Sequence, residues 1–265
     1  MNYIATDEHI HQLCQTIAKV NRSFVPKRDD DSHTNMYFDE LSQRITGHWI
    51  ETPKGRRIFS LNLKDYCFEW QNSSKDVIAS YSIEGKTIVE WESQMAQGLE
   101  YMGLEMDNFL DPLHFEITEY AFRDSAFYKP SAAAIEEWMR LRTLGNEACM
   151  QLTGYAQVES SIRIWPHHFD TGVYFDVDNR IGIGFGLAMK DEGTDAPYFY
   201  LSGYPGKGSI SYTNLPEIGA GHWLTGEGFN GAILRADRPL DELRRNIPDY
   251  VTLAFKWFVK QVYDD

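Results

Sequence analysis

Alternation of apolar and polar residues is the pattern that most limits what this chain can form. Between Arg56 and Glu90 the side chains alternate with a period of two in three short runs, separated by turn-forming residues. Successive side chains of a β-strand point to opposite faces, so the alternation predicts half-buried strands, and the short polar connections predict antiparallel neighbours. The result is an antiparallel meander with strands at Ile58–Leu63, Tyr66–Gln71 and Val77–Ile83.

Apolar residues recur at helical spacing before and after this meander, and before and after a second meander that begins near Ser160. The predicted helices share an apolar period near 3.6 and recognisable end signals. They are expected at Thr6–Val20, at Ile88–Met102 before a Gly103 cap, from Ser131 to about Gly154, and after Pro239. Pro248 should break the last helix, because proline has no N–H to donate. Alternation at Leu113, Phe115 and Ile117 favours one further short strand.

These elements predict the α+β class, with two antiparallel β-meanders backed by helices. The order helix, meander, helix occurs twice, as in a duplicated fold, although no strong sequence repeat accompanies it. We predict a single compact α+β unit over residues 1–265, with 1–128 and 129–265 as its halves if the duplication is real.

Charge and composition exclude some classes of partner. The chain has 25 Lys and Arg against 39 Asp and Glu, a formal net charge of −14. Its field repels phosphate backbones and anionic lipid, so we expect neither nucleic acid nor a membrane as partner. Three separated cysteines without a Cys-x-x-Cys spacing, and an amino terminus without a signal-peptide pattern, lead us to expect a cytoplasmic protein.

The segment 165–170, Trp-Pro-His-His-Phe-Asp, is the main candidate for a catalytic site. If strand alternation continues through it, His168 and Asp170 emerge on one side. A carboxylate that fixes the tautomer of an imidazole is the arrangement of acid/base and metal sites. Pro166 can upset this alternation, since proline in a strand marks an edge, a bulge or a strand end. The alternative is a buried hydrogen-bonded pair that holds a strand end in place.

Aromatic residues and glycines suggest a ligand-binding surface nearby. Gly182, Gly184 and Gly186 leave one face of a predicted strand without side chains. Either a ligand or the rings of Tyr198 and Tyr200 could approach that face closely, and packing of the rings is the structural alternative.

A glycine-rich loop adds further candidates. His222, Trp223 and Glu227 lie between Gly219 and Gly231. If the loop folds over the second meander, His222 and Glu227 could join His168 and Asp170 as an acid/base or metal-binding set. The alternative is that these side chains only stabilise the loop.

Several segments taken together resemble a known family. Trp165-Pro-His-His-Phe-Asp170, Pro197-Tyr-Phe-Tyr200 and Thr225-Gly-Glu-Gly-Phe-Asn-Gly-Ala232 are similar to motifs of the bacterial family called domain of unknown function five-nine-nine-six. The chain departs from that pattern after Phe185, where Gly-Leu-Ala-Met replaces a polar Ser-Pro-Gly turn. The resemblance implies that these segments belong together, and it supplies no reaction.

The leading functional hypothesis is small-molecule binding, with hydrolysis as one form of it. Trp165, Tyr198, Tyr200 and Trp223 would supply apolar walls together with His222 as a further ligand-binding residue. His168 would be the general base or a metal ligand, Asp170 would orient it, and Glu227 would be a second acid/base group. The alternatives are a protein-interaction module with exposed aromatic faces and a metal-dependent enzyme. The sequence identifies no particular cofactor and no oligomeric state.

Overall fold

The computed structural model describes residues 2–105, 108–226 and 228–263, and it confirms the α+β class with antiparallel meanders. Its α-helices are α1 (Tyr3–Phe24), α2 (Ile88–Met102), α3 (Ala132–Ala156) and α4 (Leu240–Lys260). The strands of the first sheet are β1 (Tyr37–Asp39), β2 (Arg44–Ile50), β3 (Arg57–Asn62), β4 (Cys67–Gln71) and β5 (Val77–Ser82). Those of the second are β6 (Arg163–Ile164), β7 (Thr171–Val177), β8 (Ile181–Ala188), β9 (Tyr198–Pro205), β10 (His222–Thr225) and β11 (Asn230–Arg235).

The chain divides into two compact units. The first contains Met1–Met139 and Ile164–Phe169, and the second contains Arg140–Arg163 and Asp170–Asp265. One boundary therefore falls inside α3, after Met139.

The first unit is built on a sheet with the order β1-β2-β3-β4-β5. Strands β3 to β5 and helix α2 lie where the sequence predicts them. Thr87 and Glu90 form a capping box at the start of α2, and Gly103 ends it with a φ of 77°.

Strands β1 and β2 were not predicted. Between Thr46 and Trp49 the pairing register shifts, because the side chain of Asn21 in α1 accepts a hydrogen bond from the backbone N–H of His48. The bulge disrupts the alternation that would have indicated a strand.

The strand predicted at residues 113–117 is absent from the described structure, which runs irregularly there. Isolated contacts with other parts of the first unit hold the surrounding segment instead of a strand ladder. The Tyr120 hydroxyl lies 2.8 Å from Nδ1 of His11, and Phe127 pairs with Lys86 in an isolated bridge. The expectation of a strand was wrong because these contacts come from distant parts of the first unit.

The second unit is built on strands β10-β11-β9-β8-β7 of the six-stranded sheet, with α3 and α4 packed on the same face. Gly145 of α3 lies so close to Leu187 that an added methyl group would be 3.3 Å from its Cβ. In α4, the Tyr250 hydroxyl donates a 2.7 Å hydrogen bond to the backbone oxygen of Ala232. Phe258 of α4 packs against Gly203 of β9. The helices thus cover the face that carries the odd-numbered side chains of β8 and β9.

Helix α4 continues through Pro248, so the expected break was wrong. Interior proline costs about 3 kcal/mol in a helix. Each large apolar side chain that is fully buried contributes about 1.5–3 kcal/mol, and Ile247, Tyr250 and Phe258 are all buried around the proline. Burial of both halves against one sheet face therefore outweighs the lost hydrogen bond.

In the part of the chain that the structure describes, no helix has the length and apolar character that crossing a bilayer requires.

Candidate functional site

The face of the second sheet opposite α3 and α4 carries most of the aromatic side chains predicted to bind a ligand. Residues directly opposite each other in paired strands share a face. The registers align Tyr200 with Gly186 and Gly172, and they align Tyr204 with Gly182 and Asp176. We call this surface the tyrosine face. Across β7, β8 and β9 it comprises Gly172, Tyr174, Asp176, Gly182, Gly184, Gly186, Ala188, Tyr198, Tyr200, Ser202 and Tyr204.

Two tyrosine rings lie over the glycines of β8. The Tyr174 ring covers Gly182, where an added Cβ would be 2.6 Å from Cζ of the ring. The Tyr204 ring covers Gly184, with Cε2 at 3.3 Å from such a Cβ. The two ring centroids are 6.0 Å apart and the planes are inclined by 49°. Tyr174 remains 52% exposed and Tyr204 53% exposed. The outer surfaces of the rings therefore form an aromatic platform in contact with solvent.

Ring packing over the glycines thus occurs, as the structural alternative expects, but the rings are largely not the predicted ones. A Cβ added to Gly184 would lie 4.0 Å from Cε2 of Tyr200, farther than from Tyr204. Tyr198 binds Asp191: its hydroxyl donates a 2.5 Å hydrogen bond to Oδ2 of that residue. Burial and this carboxylate raise the pKa of Tyr198, which therefore stays protonated.

Asp170 lies at the edge of the tyrosine face and binds Tyr200. The Tyr200 hydroxyl donates a 2.5 Å hydrogen bond to Oδ2 of Asp170, whose side chain is buried. Burial and the nearby Asp170 carboxylate raise the pKa of Tyr200 well above its usual value. The phenol is consequently a hydrogen-bond donor at neutral pH and not a base.

A turn interrupts the strand alternation that we expected to bring His168 and Asp170 to one side. Strand β6 ends at Ile164, and the N–H of Phe169 donates a 2.6 Å hydrogen bond to the oxygen of Trp165. The Pro166 oxygen accepts hydrogen bonds from Nε2 of His11 and Nε2 of Gln15, at 2.8 and 2.9 Å. This carbonyl is thus engaged by side chains of α1, and Pro166 has no N–H, so the strand ends here.

Within this turn Trp165 is half-buried and His168 is exposed. The ring centroid of His168 lies 4.4 Å from that of His167, and the Trp165 ring is 6.2 Å from the His167 ring. The argument for a His168–Asp170 pair from strand alternation was therefore wrong. The catalytic role proposed for each residue stays a prediction.

Two residues predicted to lie in a glycine-rich loop, His222 and Trp223, lie on opposite faces of the second sheet. His222 is paired with Ile233, which is paired with Tyr200, so His222 shares the tyrosine face and is exposed. Burial, then the charges of Arg235 and Arg238, lower the pKa of His222. Residues 222–225 form strand β10, not a loop over the sheet. Glu227 lies outside the described residues.

Trp223 lies on the helix side, away from the predicted ligand-binding set. Its ring centroid is 4.4 Å from that of Trp257 in α4, and its Nε1 donates a 2.8 Å hydrogen bond to the oxygen of Pro216. Because adjacent strand residues point to opposite faces, Trp223 and His222 are separated by the sheet itself.

Sequence reasoning missed Tyr174, Asp176 and Tyr204 as members of this surface. A signal for all three was present. Tyr174 and Asp176 continue the alternation that begins at Gly172, and Tyr204 continues the series Tyr198, Tyr200, Ser202. Extending the alternation to the strand ends would have found them.

The second unit therefore has two layers, with α3 and α4 on one face of its antiparallel sheet and tyrosine side chains on the other. In the described residues no three His, Cys, Asp or Glu side chains converge in the manner of metal ligands. Comparison of the chain with protein-family models, with curated proteins and with solved structures finds no match. The family resemblance accordingly depends on the sequence motifs alone.

Proposed function

We propose that this protein binds a small organic molecule on the tyrosine face of its second unit. The observation that carries the proposal is the pair of rings, Tyr174 and Tyr204, each about half exposed over a glycine strand at 52% and 53%. A flat, solvent-exposed aromatic platform on a rigid sheet offers a stacking surface at little conformational cost, since the rings are already ordered by the backbone beneath them.

Surface area favours a small ligand over a protein partner. A tyrosine buries on the order of 200 Å² when it is covered completely. Two half-exposed rings therefore offer on the order of 200 Å² of new contact. A stable protein interface needs about 800 Å² from each partner. The platform is thus matched to a molecule of a few to about ten heavy atoms, and the protein-interaction alternative would need additional surface.

Binding without a covalent step is the form of the hypothesis that the side chains support best. Tyr200 is a protonated phenol held by Asp170. The proposed base, His168, is an exposed residue of a turn in the first unit. Hydrolysis by these residues remains a narrower proposal, which requires a base supplied near the platform.

The test is a thermal-shift screen of the full chain against a panel of amines, sugars, nucleosides and carboxylic acids. Any molecule that binds the native state raises the melting temperature by mass action. The screen is run in parallel on Tyr204→Leu and on Tyr101→Leu, a control that removes a tyrosine 73% exposed on α2 of the first unit.

We expect at least one class of compound to stabilise the parent and Tyr101→Leu and to lose its effect on Tyr204→Leu. If no member of the panel acts through Tyr204, or if every hit acts equally on all three proteins, the platform is not a binding site. Size measurements on the same samples reveal whether Tyr204 instead contributes to association of the chain with itself.

A further inference from the structure

We infer that the molecule bound on the tyrosine face is an organic cation, an amine or quaternary ammonium group, with Asp176 as its counter-ion. This inference rests on the proposed function and specifies the class of ligand. It is carried by three features of the same patch: the spacing of two rings, the position of one carboxylate and the sign of the charge on the face.

The spacing of the rings suits a cation shared between them. Cation–π attraction acts within about 6 Å of a ring centroid. The centroids of Tyr174 and Tyr204 are 6.0 Å apart. A single ammonium group placed over the gap is therefore within range of both rings at once. A sugar or a nucleobase could stack on one of the rings. Because the two ring planes are inclined by 49°, a flat ligand cannot stack on both at once.

Asp176 places a carboxylate beside the Tyr174 ring. It is directly opposite Gly182, and Gly182 is directly opposite Tyr204. The Tyr174 phenol lies over Gly182, in the row between Asp176 and Tyr204. Asp176 is exposed. Its charge acts on the Tyr174 phenol, whose pKa is raised first by burial and then by Asp176.

The sign of the charge at this end of the tyrosine face favours a cation over an anion. Of the tyrosine-face positions in β7, β8 and β9, all of them described, only Asp176 carries a charged side chain. Arg235 of β11 is aligned with Tyr198 and lies at the opposite end of the face from Tyr204. The basic residues at this end of the sheet lie in the connections. Arg180 is stacked on Tyr263 with Cζ 4.6 Å from the ring centroid, and Lys207 follows β9. The net charge of −14 adds a field that concentrates cations around the molecule.

The decisive probe is a cation and its neutral isostere of the same shape. Choline and 3,3-dimethyl-1-butanol differ in one central atom, nitrogen with a positive charge or carbon without one. Both are titrated by calorimetry into the parent chain, Asp176→Asn, Tyr204→Leu and Glu217→Gln. The last variant removes one negative charge from an exposed residue of the connection after β9, and so it controls for net charge.

We expect choline to bind the parent and Glu217→Gln with equal affinity. We expect the neutral isostere to bind at least tenfold more weakly, and Asp176→Asn and Tyr204→Leu each to weaken choline binding at least tenfold. Melting temperatures of the variants verify that they are folded.

Two outcomes overturn the inference, and they differ in what they say about the proposed function. If the isostere binds within twofold of choline, or if Asp176→Asn retains full affinity while Tyr204→Leu loses it, the face binds ligands but does not select a cation. If neither probe binds and no compound of the screening panel acts through Tyr204, the proposed function fails together with the inference.

Discussion

Tyr200 reaches across a whole strand to bind Asp170. Its hydroxyl lies 2.5 Å from Oδ2 of Asp170, although Tyr200 is in β9 and Asp170 precedes β7, on the far side of β8. The crossing depends on two glycines. Gly186 and Gly172 are aligned with Tyr200, and an added Cβ on Gly172 would lie 2.8 Å from the Tyr200 hydroxyl oxygen. The glycines on this side of the sheet therefore make room for a polar contact as well as for rings.

Tyr200→Phe should destabilise the protein by about 1–3 kcal/mol, because it removes one donor to a buried carboxyl group. Urea unfolding at pH 7 measures this as a fall in the midpoint. Tyr204→Phe is the matched control, since it removes an exposed hydroxyl and leaves the ring in place, and it should change the free energy of unfolding by less than about 0.5 kcal/mol. Equal effects of the two variants would contradict the importance of the Tyr200–Asp170 hydrogen bond.

Gly186→Ala should destabilise by roughly 1–3 kcal/mol through overpacking. A Cβ at this position meets the backbone oxygen of Thr171 and lies 2.8 Å from Cα of Gly172, so no side chain can rotate away to relieve the contact. Gly154→Ala, in α3, is the counterpart: an added Cβ there has no heavy atom within 4 Å. It should stabilise the protein by up to about 1 kcal/mol, since alanine favours the helix. Thermal unfolding of both variants tests the contrast in sign, and a stable Gly186→Ala protein would refute it.

His9 should make the stability depend on pH. Its ring is buried beside Phe127, with Nε2 2.5 Å from the Tyr66 hydroxyl, and burial lowers its pKa from 6.5 to about 4. On acidification the unfolded chain takes up the proton first. The contribution of His9 is therefore fully present above about pH 6.5 and is lost as the pH falls toward 4, by up to roughly 3 kcal/mol.

The measurement is the free energy of unfolding of the parent and of His9→Gln between pH 4.5 and 7.5. Glutamine does not titrate, so any difference in stability that arises from packing or from the Tyr66 contact is independent of the state of residue 9. The change with pH in the difference between the two free energies of unfolding therefore reports the titration of His9. That difference should narrow as the pH falls below 6.5. A difference that stays constant over this range would show that His9 does not titrate in the way its burial implies.

Ser202→Ala should leave the stability unchanged or raise it by up to about 1 kcal/mol. The Ser202 hydroxyl is buried on the tyrosine face and has no hydrogen-bond partner in the described structure, so its removal relieves a desolvation cost. Thr16→Val is the opposite case. Thr16 donates to Glu92 at 3.0 Å and accepts from Nε1 of Trp91 at 3.1 Å, and its loss should cost about 1–3 kcal/mol. Chemical denaturation of the pair tests the contrast, and a destabilised Ser202→Ala protein would contradict it.

The sequence alone determined the elements whose signals are local. The alternation of residues 58–83 was sufficient for β3, β4 and β5, and the Gly103 cap marked the end of α2. Alternation and caps act over a few residues, so they can be read without knowing the neighbours in space. The same reasoning placed a glycine strand beside a tyrosine strand in the second meander.

Only the tertiary structure decided which residues share the candidate site. Strand β6 ends at Ile164, and side chains of α1 bind the carbonyl of Pro166, which follows it. These side chains, His11 and Gln15, lie 155 and 151 positions before Pro166 in the sequence. Trp223 is directed toward α4 and Tyr200 toward Asp170, because the helices cover one face of the sheet and leave the other uncovered. Which face a helix covers is settled by the packing of distant segments, and alternation within one strand is compatible with either choice.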